Sequence, residues 1–226
     1  MLHFRIDRAL LEPMVPPGTV LDLYHDTEAW VSVVAFRFLD TRVLGVAVPF
    51  HRDFTEVNLR FYVRRHVNGE TRRGVTFIRE LVPRAAIAWA ARLTFNEPYV
   101  TTDVMREMLP EDGGMAGRLR YEWMHRNRWQ SLEVHTERGG HAMANGSIEE
   151  FLTVRDWGYT RQDDGGTLEY RVEHPRWMMW KSTKASLDCD PATICGFDFT
   201  LPLAPTFAYA CDGSPVTIYV GEKLAQ

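Results

Sequence analysis

The stretch EVNLRFYVRRHVNGETRRGVTFIREL, residues 56–81, constrains the fold more than any other part of the chain. Two alternating runs flank Asn68-Gly69. Asn-Gly favours the two-residue turn in which both central residues have positive φ, so the runs should form a hairpin. Side chains alternate across a strand. Val57, Leu59, Phe61 and Val63 therefore share one face, and Glu56, Asn58, Arg60 and Tyr62 share the other. A two-residue loop also sets the register. Counting back from Val67 opposite Glu70 puts Tyr62 opposite Val75, Arg60 opposite Phe77 and Asn58 opposite Arg79. The count thus gathers two arginines, a carboxylate, an amide, a phenol and an aromatic ring on one surface. One β-bulge would send Arg79 to the opposite face.

Strand signals dominate elsewhere. AWVSVVAFRFL (29–39) is apolar on both faces and reads as a central strand. GRLRYEWMH and WQSLEVHTE suggest a second hairpin, and TLEYRVEH, PTFAYAC and VTIYV suggest further strands. Two helices are predicted. VPRAAIAWAARLTF (82–95) is alanine-rich with Pro83 near its start. SIEEFLTVRDW opens on Ser147 with Glu150 three residues later, a capping box. The class is α+β, mostly antiparallel β, as a large barrel or half-barrel formed by one domain over residues 1–226.

Composition excludes several functions. A net charge of −4 argues against a general nucleic-acid binder. The arginines of the hairpin (Arg60, Arg64, Arg65, Arg72 and Arg73) read as a solvated tip. No apolar run approaches the ~20 residues of a membrane span, and the N-terminus lacks an uninterrupted apolar segment. Three cysteines without a CxxC pair suit a reducing, cytoplasmic location. The eight histidines are scattered with no metal-ligand spacing, and no Walker, GxGxxG or GxSxG motif occurs, so neither metal nor cofactor is expected.

The ordered set VPPGTVLDLYHDTEAWVSVVAFRF, EVNLRFYVRR, GVTFI, NEPY, GSIEEFLTVRDWGYT and RVEHPRW resembles the YqjF-like family of uncharacterised conserved bacterial proteins, from about Leu11 to Val220. That family is similar in fold to acetoacetate decarboxylase, which implies an antiparallel barrel with an internal cavity and a polar row that lines it. Acetoacetate decarboxylases form a Schiff base through a lysine on the strand after the hairpin. The matching stretch here, GVTFIRELVPR, contains no lysine. Arginine stays protonated and is a poor nucleophile. Schiff-base chemistry of that kind is therefore not expected.

The leading expectation is a pocket that binds a small, carboxylate-bearing molecule. Arg60 and Arg79 would hold the anion, and Asn58, Tyr62 and Phe77 would orient it. Glu56 and His174 are the candidates for acid–base work; His174 lies on the Leu168, Tyr170, Val172 face of its strand. Two alternatives stand beside it. One is an enzyme of decarboxylase, aldolase or dehydratase type acting without a Schiff base. The other is an interaction module whose polar row is a wet sheet face, as antiparallel sheets often have. Ligand identity, pathway and association into a homo-oligomer are left open.

Overall fold

A computed structural model describes residues 1–40, 42–43, 46–47, 53–83, 98–102, 104–110, 114–196, 201–202 and 204–224. In chain order the strands are β1 (Leu2–Ile6), β2 (Val20–Leu21), β3 (Ala29–Phe38), β4 (Arg42–Val43), β5 (Val46–Ala47), β6 (Phe54–Val67), β7 (Glu70–Pro83), β8 (Tyr99–Thr102) and β9 (Val104–Met108). They continue as β10 (Gly117–His125), β11 (Arg128–Thr136), β12 (His141–Ala142), β13 (Trp157–Arg161), β14 (Thr167–Glu173), β15 (Met178–Asp188), β16 (Phe207–Cys211), β17 (Thr217–Ile218) and β18 (Glu222–Lys223). Among the described residues two short helices interrupt them, α1 (Ile148–Thr153) and α2 (Pro191–Ile194).

The main sheet runs β17-β14-β13-β7-β6-β3-β1-β16-β15-β11-β10-β9, with almost all neighbours antiparallel. Among the described residues the sheet is not closed, so of the expected barrel or half-barrel the half-barrel is the better description. β9 nevertheless comes round to face β6 and β7, and Arg37 of β3 donates to Glu107 of β9 at 2.7 Å. Among the described residues the curl is held there by side chains and not by a ladder of backbone hydrogen bonds.

Both predicted hairpins form. Asn68 and Gly69 take φ of 50° and 84°, and Arg126 and Asn127 take 49° and 60°. These positive-φ turns match the right-handed twist of the strands they join. Ser147 caps α1 by accepting from the Glu150 N–H at 3.2 Å. The Glu150 carboxylate closes the cap on the N–H of Gly146. The predicted helix over 82–95 fares differently. Val82 and Pro83 end β7, paired with Thr101 and Thr102, and residues 84–97 lie outside the described residues.

The main core lies on the Val57, Leu59, Phe61 and Val63 face of β6, with Val31, Val33, Leu2, Phe4, Trp123 and Leu132. The three cysteines are free. Among the described residues, no helix is long and apolar enough to cross a membrane.

Gly74 occupies a close approach between β7 and the parallel β13. A Cβ there would lie 2.5 Å from the backbone oxygen of Trp157 and 2.7 Å from the Tyr159 ring. Backbone in a ladder cannot yield as a side-chain end can, so Gly74→Ala should cost roughly 1–3 kcal/mol. Thermal unfolding followed by circular dichroism should show a Tm lower by roughly 2–12 °C. An unchanged Tm would mean that the two strands separate freely at this point.

Candidate functional site: a buried polar face on β6

β6 is buried on both faces. Opposite the apolar core, Glu56 and Asn58 are each 2% exposed and Tyr62 is 1% exposed. Such burial is the reverse of what a solvated sheet face requires. Ser32 of β3 pairs with Arg60, and His3 of β1 pairs with Ser32, so all three share this face. Phe77 pairs with Arg60 and Val75 with Tyr62, as the residue count predicts.

Arg79 does not join them. The ladder pairs Leu59 with Arg79 and Arg60 with Phe77, leaving Ile78 as the bulged residue. Beyond the bulge Asn58 faces Glu80 and Val57 faces Leu81. The physical reason lies in the next two residues. A straight register would press the Glu80 carboxyl against Val57 in the hydrocarbon core and turn Leu81 into the polar row. Burying a carboxyl without polar partners costs several kcal/mol. The bulge buries Leu81 fully and brings Glu80 beside Asn58. Arg79 moves to the other face, where its guanidinium lies close against Gly196. Extending the count two residues past Asn58 exposes this conflict in the sequence itself.

His174 is also elsewhere. It follows β14, separated from β6 by β13 and β7. Its ring stacks on Trp177 at 4.3 Å, and its Nδ1 sits 2.8 Å from the Pro175 carbonyl oxygen. The histidine of the polar face is His3, which is fully buried. The Ser32 hydroxyl lies 2.7 Å from His3 Nδ1 and 2.5 Å from the Tyr62 hydroxyl. Tyr62 in turn donates to the Leu152 carbonyl at 3.1 Å. One proton per contact is consistent with the order His3 Nδ1–H to Ser32, Ser32 O–H to Tyr62, and Tyr62 O–H to Leu152. That order leaves a lone pair on His3 Nε2, which has no protein partner. Burial first, then nearby positive charges including Arg60, keep His3 neutral. Ser32 was legible as the one polar residue in the AWVSVVAF run; nothing local in the sequence marked His3.

Arg60 is half-buried and donates Nη2 to the same Leu152 carbonyl at 3.1 Å. Its Nε has no protein partner, and neither does the indole N–H of Trp30, two residues before Ser32. Among the described residues no carboxylate lies within ion-pair distance of Arg60. Glu56 accepts from Asn58 Nδ2 at 2.9 Å and shares a hydrogen bond with Glu80. Burial pushes the Glu56 carboxyl up to about 7, against the pull of Asn58, Glu80 and Arg60.

α1 covers this face and is tied down by charge. Arg155 follows the helix, is 3% exposed, and pairs with Asp22, which is 2% exposed. Its Nε also donates to the Phe151 carbonyl at 2.7 Å, and its guanidinium lies 4.9 Å above the Tyr62 ring. The Asp22 N–H bonds back to the Tyr62 carbonyl at 3.0 Å. Asp22 further neutralises Arg64 and Arg73, while Glu169 pairs with Arg65 and Arg72. The arginine tip is thus largely paired with buried carboxylates, which corrects the expectation that solvation alone accommodates it. Among the described residues no group of three or more His, Cys, Asp or Glu is arranged to hold a metal ion. A solvent-open depression of about 440 Å³ lined by Arg5, Ile6, Asp7, Thr27, Glu28 and Ala29 shares no residue with the polar face.

Asp22→Ala would leave the buried Arg155 without its partner and should cost about 3–5 kcal/mol, read as a lower denaturant midpoint. Glu56 yields a pH signature. Its folded value, about 7, exceeds the ordinary 4.5, so the folded chain holds the proton more tightly. The resulting stability is complete below pH 4.5 and is lost as pH rises through 7. Wild type should therefore lose on the order of 2 kcal/mol between pH 5 and 8 relative to Glu56→Gln. Parallel pH profiles of the two proteins would refute a buried, proton-holding Glu56.

Comparison with known proteins bears on the whole fold. The enduracididine biosynthesis enzyme MppR with bound HEPES superposes with a TM-score of 0.69 at 14% identity, covering 99% of this chain and 84% of that one. Acetoacetate decarboxylase from Legionella pneumophila gives 0.62 at 16% identity, with 99% and 83% covered. MppR has also been solved with pyruvate, at a TM-score of 0.58, 15% identity and coverage of 98% and 83%. Identities this low show a shared fold and nothing about shared chemistry. No functionally curated protein sequence matches the chain. The family designated DUF2071, described as an uncharacterised conserved protein, matches residues 1–215. The chain belongs to that family, and its fold is that of the acetoacetate decarboxylase-like proteins.

Proposed function

We propose that the polar face of β6 binds a small, carboxylate-bearing molecule, with Arg60 as the anchor. The observation that carries this reading is the state of Arg60. It is a partly desolvated guanidinium with no carboxylate beside it among the described residues, and its Nε lacks a protein partner. Guanidinium groups in such surroundings pair readily with carboxylates. The Trp30 N–H, also without a protein partner, adds a second donor on the same face. Arg60, Phe77 and Phe207 are half-buried, whereas Glu56, Asn58 and Tyr62 are shut off from solvent. A ligand would therefore reach the face from the Arg60 side, with α1 giving way. Structural neighbours have been solved with pyruvate and with HEPES, which fits a fold that accepts small anions.

Schiff-base catalysis is not part of this reading. All three lysines are exposed, and Lys223 is engaged with Asp164. A second reading, acid–base catalysis on the bound acid, is favoured by one observation. Glu56 titrates near neutrality, and His3 presents a free lone pair on the same face. The chain would act in the cytoplasm, where its free thiols persist.

The test is a thermal-shift screen against small organic acids, run beside Arg60→Ala. A ligand at 100 times its Kd adds ~2.7 kcal/mol, which for a domain of this size is roughly 5–10 °C. The expected result is a shift with some acids that Arg60→Ala abolishes. A shift that survives in Arg60→Ala would place the anion elsewhere.

A further inference from the structure

We propose that the ligand of this face is a short hydroxy acid, with its carboxylate on Arg60 and a hydroxyl on its second or third carbon donating to His3 Nε2. The inference rests on the reading of Arg60 as the anion anchor and names the second group of the ligand.

One row of paired residues crosses five strands here: Phe207, His3, Ser32, Arg60 and Phe77. The row carries two buried polar atoms without protein partners, Arg60 Nε and His3 Nε2. A third, the Trp30 N–H, lies two residues before Ser32 on β3. Phe207 ties Trp30 to the row. Its ring stacks on His3 at 4.9 Å and meets Trp30 edge-on at 5.6 Å. His3 is 0% exposed and Trp30 is 5% exposed. A polar group left unpaired at such depth is costly, and a ligand that supplies the partner removes that cost.

The three atoms differ in kind. Arg60 Nε and Trp30 Nε1 only donate, which is what a carboxylate requires. His3 Nε2 accepts. The contacts from His3 to Ser32, from Ser32 to Tyr62 and from Tyr62 to Leu152 measure 2.7, 2.5 and 3.1 Å. Leu152 contributes a carbonyl oxygen, so the last contact takes the Tyr62 proton. The Ser32 proton then fills the second contact, and His3 Nδ1–H fills the first. A histidine that spends its proton at Nδ1 and is held neutral by burial presents a lone pair at Nε2. A carboxylate or a ketone oxygen placed there would set lone pair against lone pair. A hydroxyl supplies the proton. Neutral His3 also brings no charge for a second carboxylate, so the ligand is a monoacid.

Spacing limits the position of the hydroxyl. His3 and Arg60 flank Ser32 on the two strands beside β3. Two strand spacings put their Cα atoms about 10 Å apart, and side chains stand roughly perpendicular to a sheet. Hydrogen bonds of ~2.9 Å at each end then leave about 4 Å between the carboxylate and hydroxyl oxygens. A hydroxyl on the second or third carbon fits that gap, whereas one on the fourth carbon of an extended chain overshoots it. Phe207 and Phe77 close the row with apolar rings at either end.

The experiment is isothermal titration of the purified chain with butanoate, 2-oxobutanoate and the 2-, 3- and 4-hydroxybutanoates. We expect 2- or 3-hydroxybutanoate to bind at least tenfold more tightly than butanoate and 2-oxobutanoate. His3→Asn keeps a donor for Ser32 but has no group at the Nε2 position, and it should erase that preference while butanoate binding persists. If circular dichroism shows that His3→Asn fails to fold, heteronuclear NMR of the His3 ring in wild type reads the tautomer directly. A proton on Nδ1 supports the proposal, and a proton on Nε2 overturns it. Butanoate or 2-oxobutanoate binding as tightly as the hydroxy acids overturns the hydroxyl subsite and leaves the anion site standing. Tightest binding of 4-hydroxybutanoate overturns the spacing. Hydroxy acid binding that survives in Arg60→Ala removes the anion anchor itself. Silence from all five probes overturns both halves.

Discussion

β6 is covered on both sides, and much else in the molecule answers to that constraint. One face meets Val31, Val33, Trp123 and Leu132 in the hydrocarbon core. The other carries Glu56, Asn58, Arg60 and Tyr62 and is shut away almost as completely. Polar groups taken out of water must find partners or remain costly. Serine in the neighbouring strand, histidine in the strand beyond and a backbone carbonyl at the end of α1 supply many of those partners. Several buried groups without protein partners, Arg60 Nε, Trp30 Nε1, His3 Nε2 and Asn58 Oδ1, lie on this face, while others such as Trp123 Nε1 and Arg79 Nε lie off it.

The cover over that face is electrostatic as much as apolar. α1 has six residues, too few to be stable by helix propensity alone. Its position depends on Phe151 and Leu152 packing beside Tyr62 and on Arg155 reaching Asp22. Asp22 also neutralises two arginines of the hairpin. The buried carboxylate therefore joins the helix, the loop before β3 and the hairpin.

Much of the fold was legible in particular residues. Asn68-Gly69 marked the hairpin, the pattern from 29 to 39 marked its inner neighbour, and Ser147 with Glu150 marked the start of α1. The pairing of Arg60 with Phe77 and of Tyr62 with Val75 followed from counting alone. The count failed at Ile78, because a single bulge costs less than burying Glu80 against Val57. It replaced an arginine with a glutamate in the row and so changed the charge the face presents. His174 was misplaced for a different reason: alternation along one strand says nothing about which sheet neighbours it meets. Whether the sheet is a barrel or a half-barrel was open for a similar reason, since strand patterns carry no information about whether edge strands pair.

The sequence by itself determined the antiparallel class, the principal hairpins and the polarity of each β6 face, because these depend on side-chain period and turn chemistry within short windows. It also determined that no lysine stands on the strand after the hairpin. Only the tertiary structure decided that the polar face is buried, that Glu80 joins it and Arg79 leaves it, and that His3 and Ser32 complete it. Those outcomes depend on contacts between residues dozens of positions apart, whose free energies are settled by what packs against what and not by any local pattern.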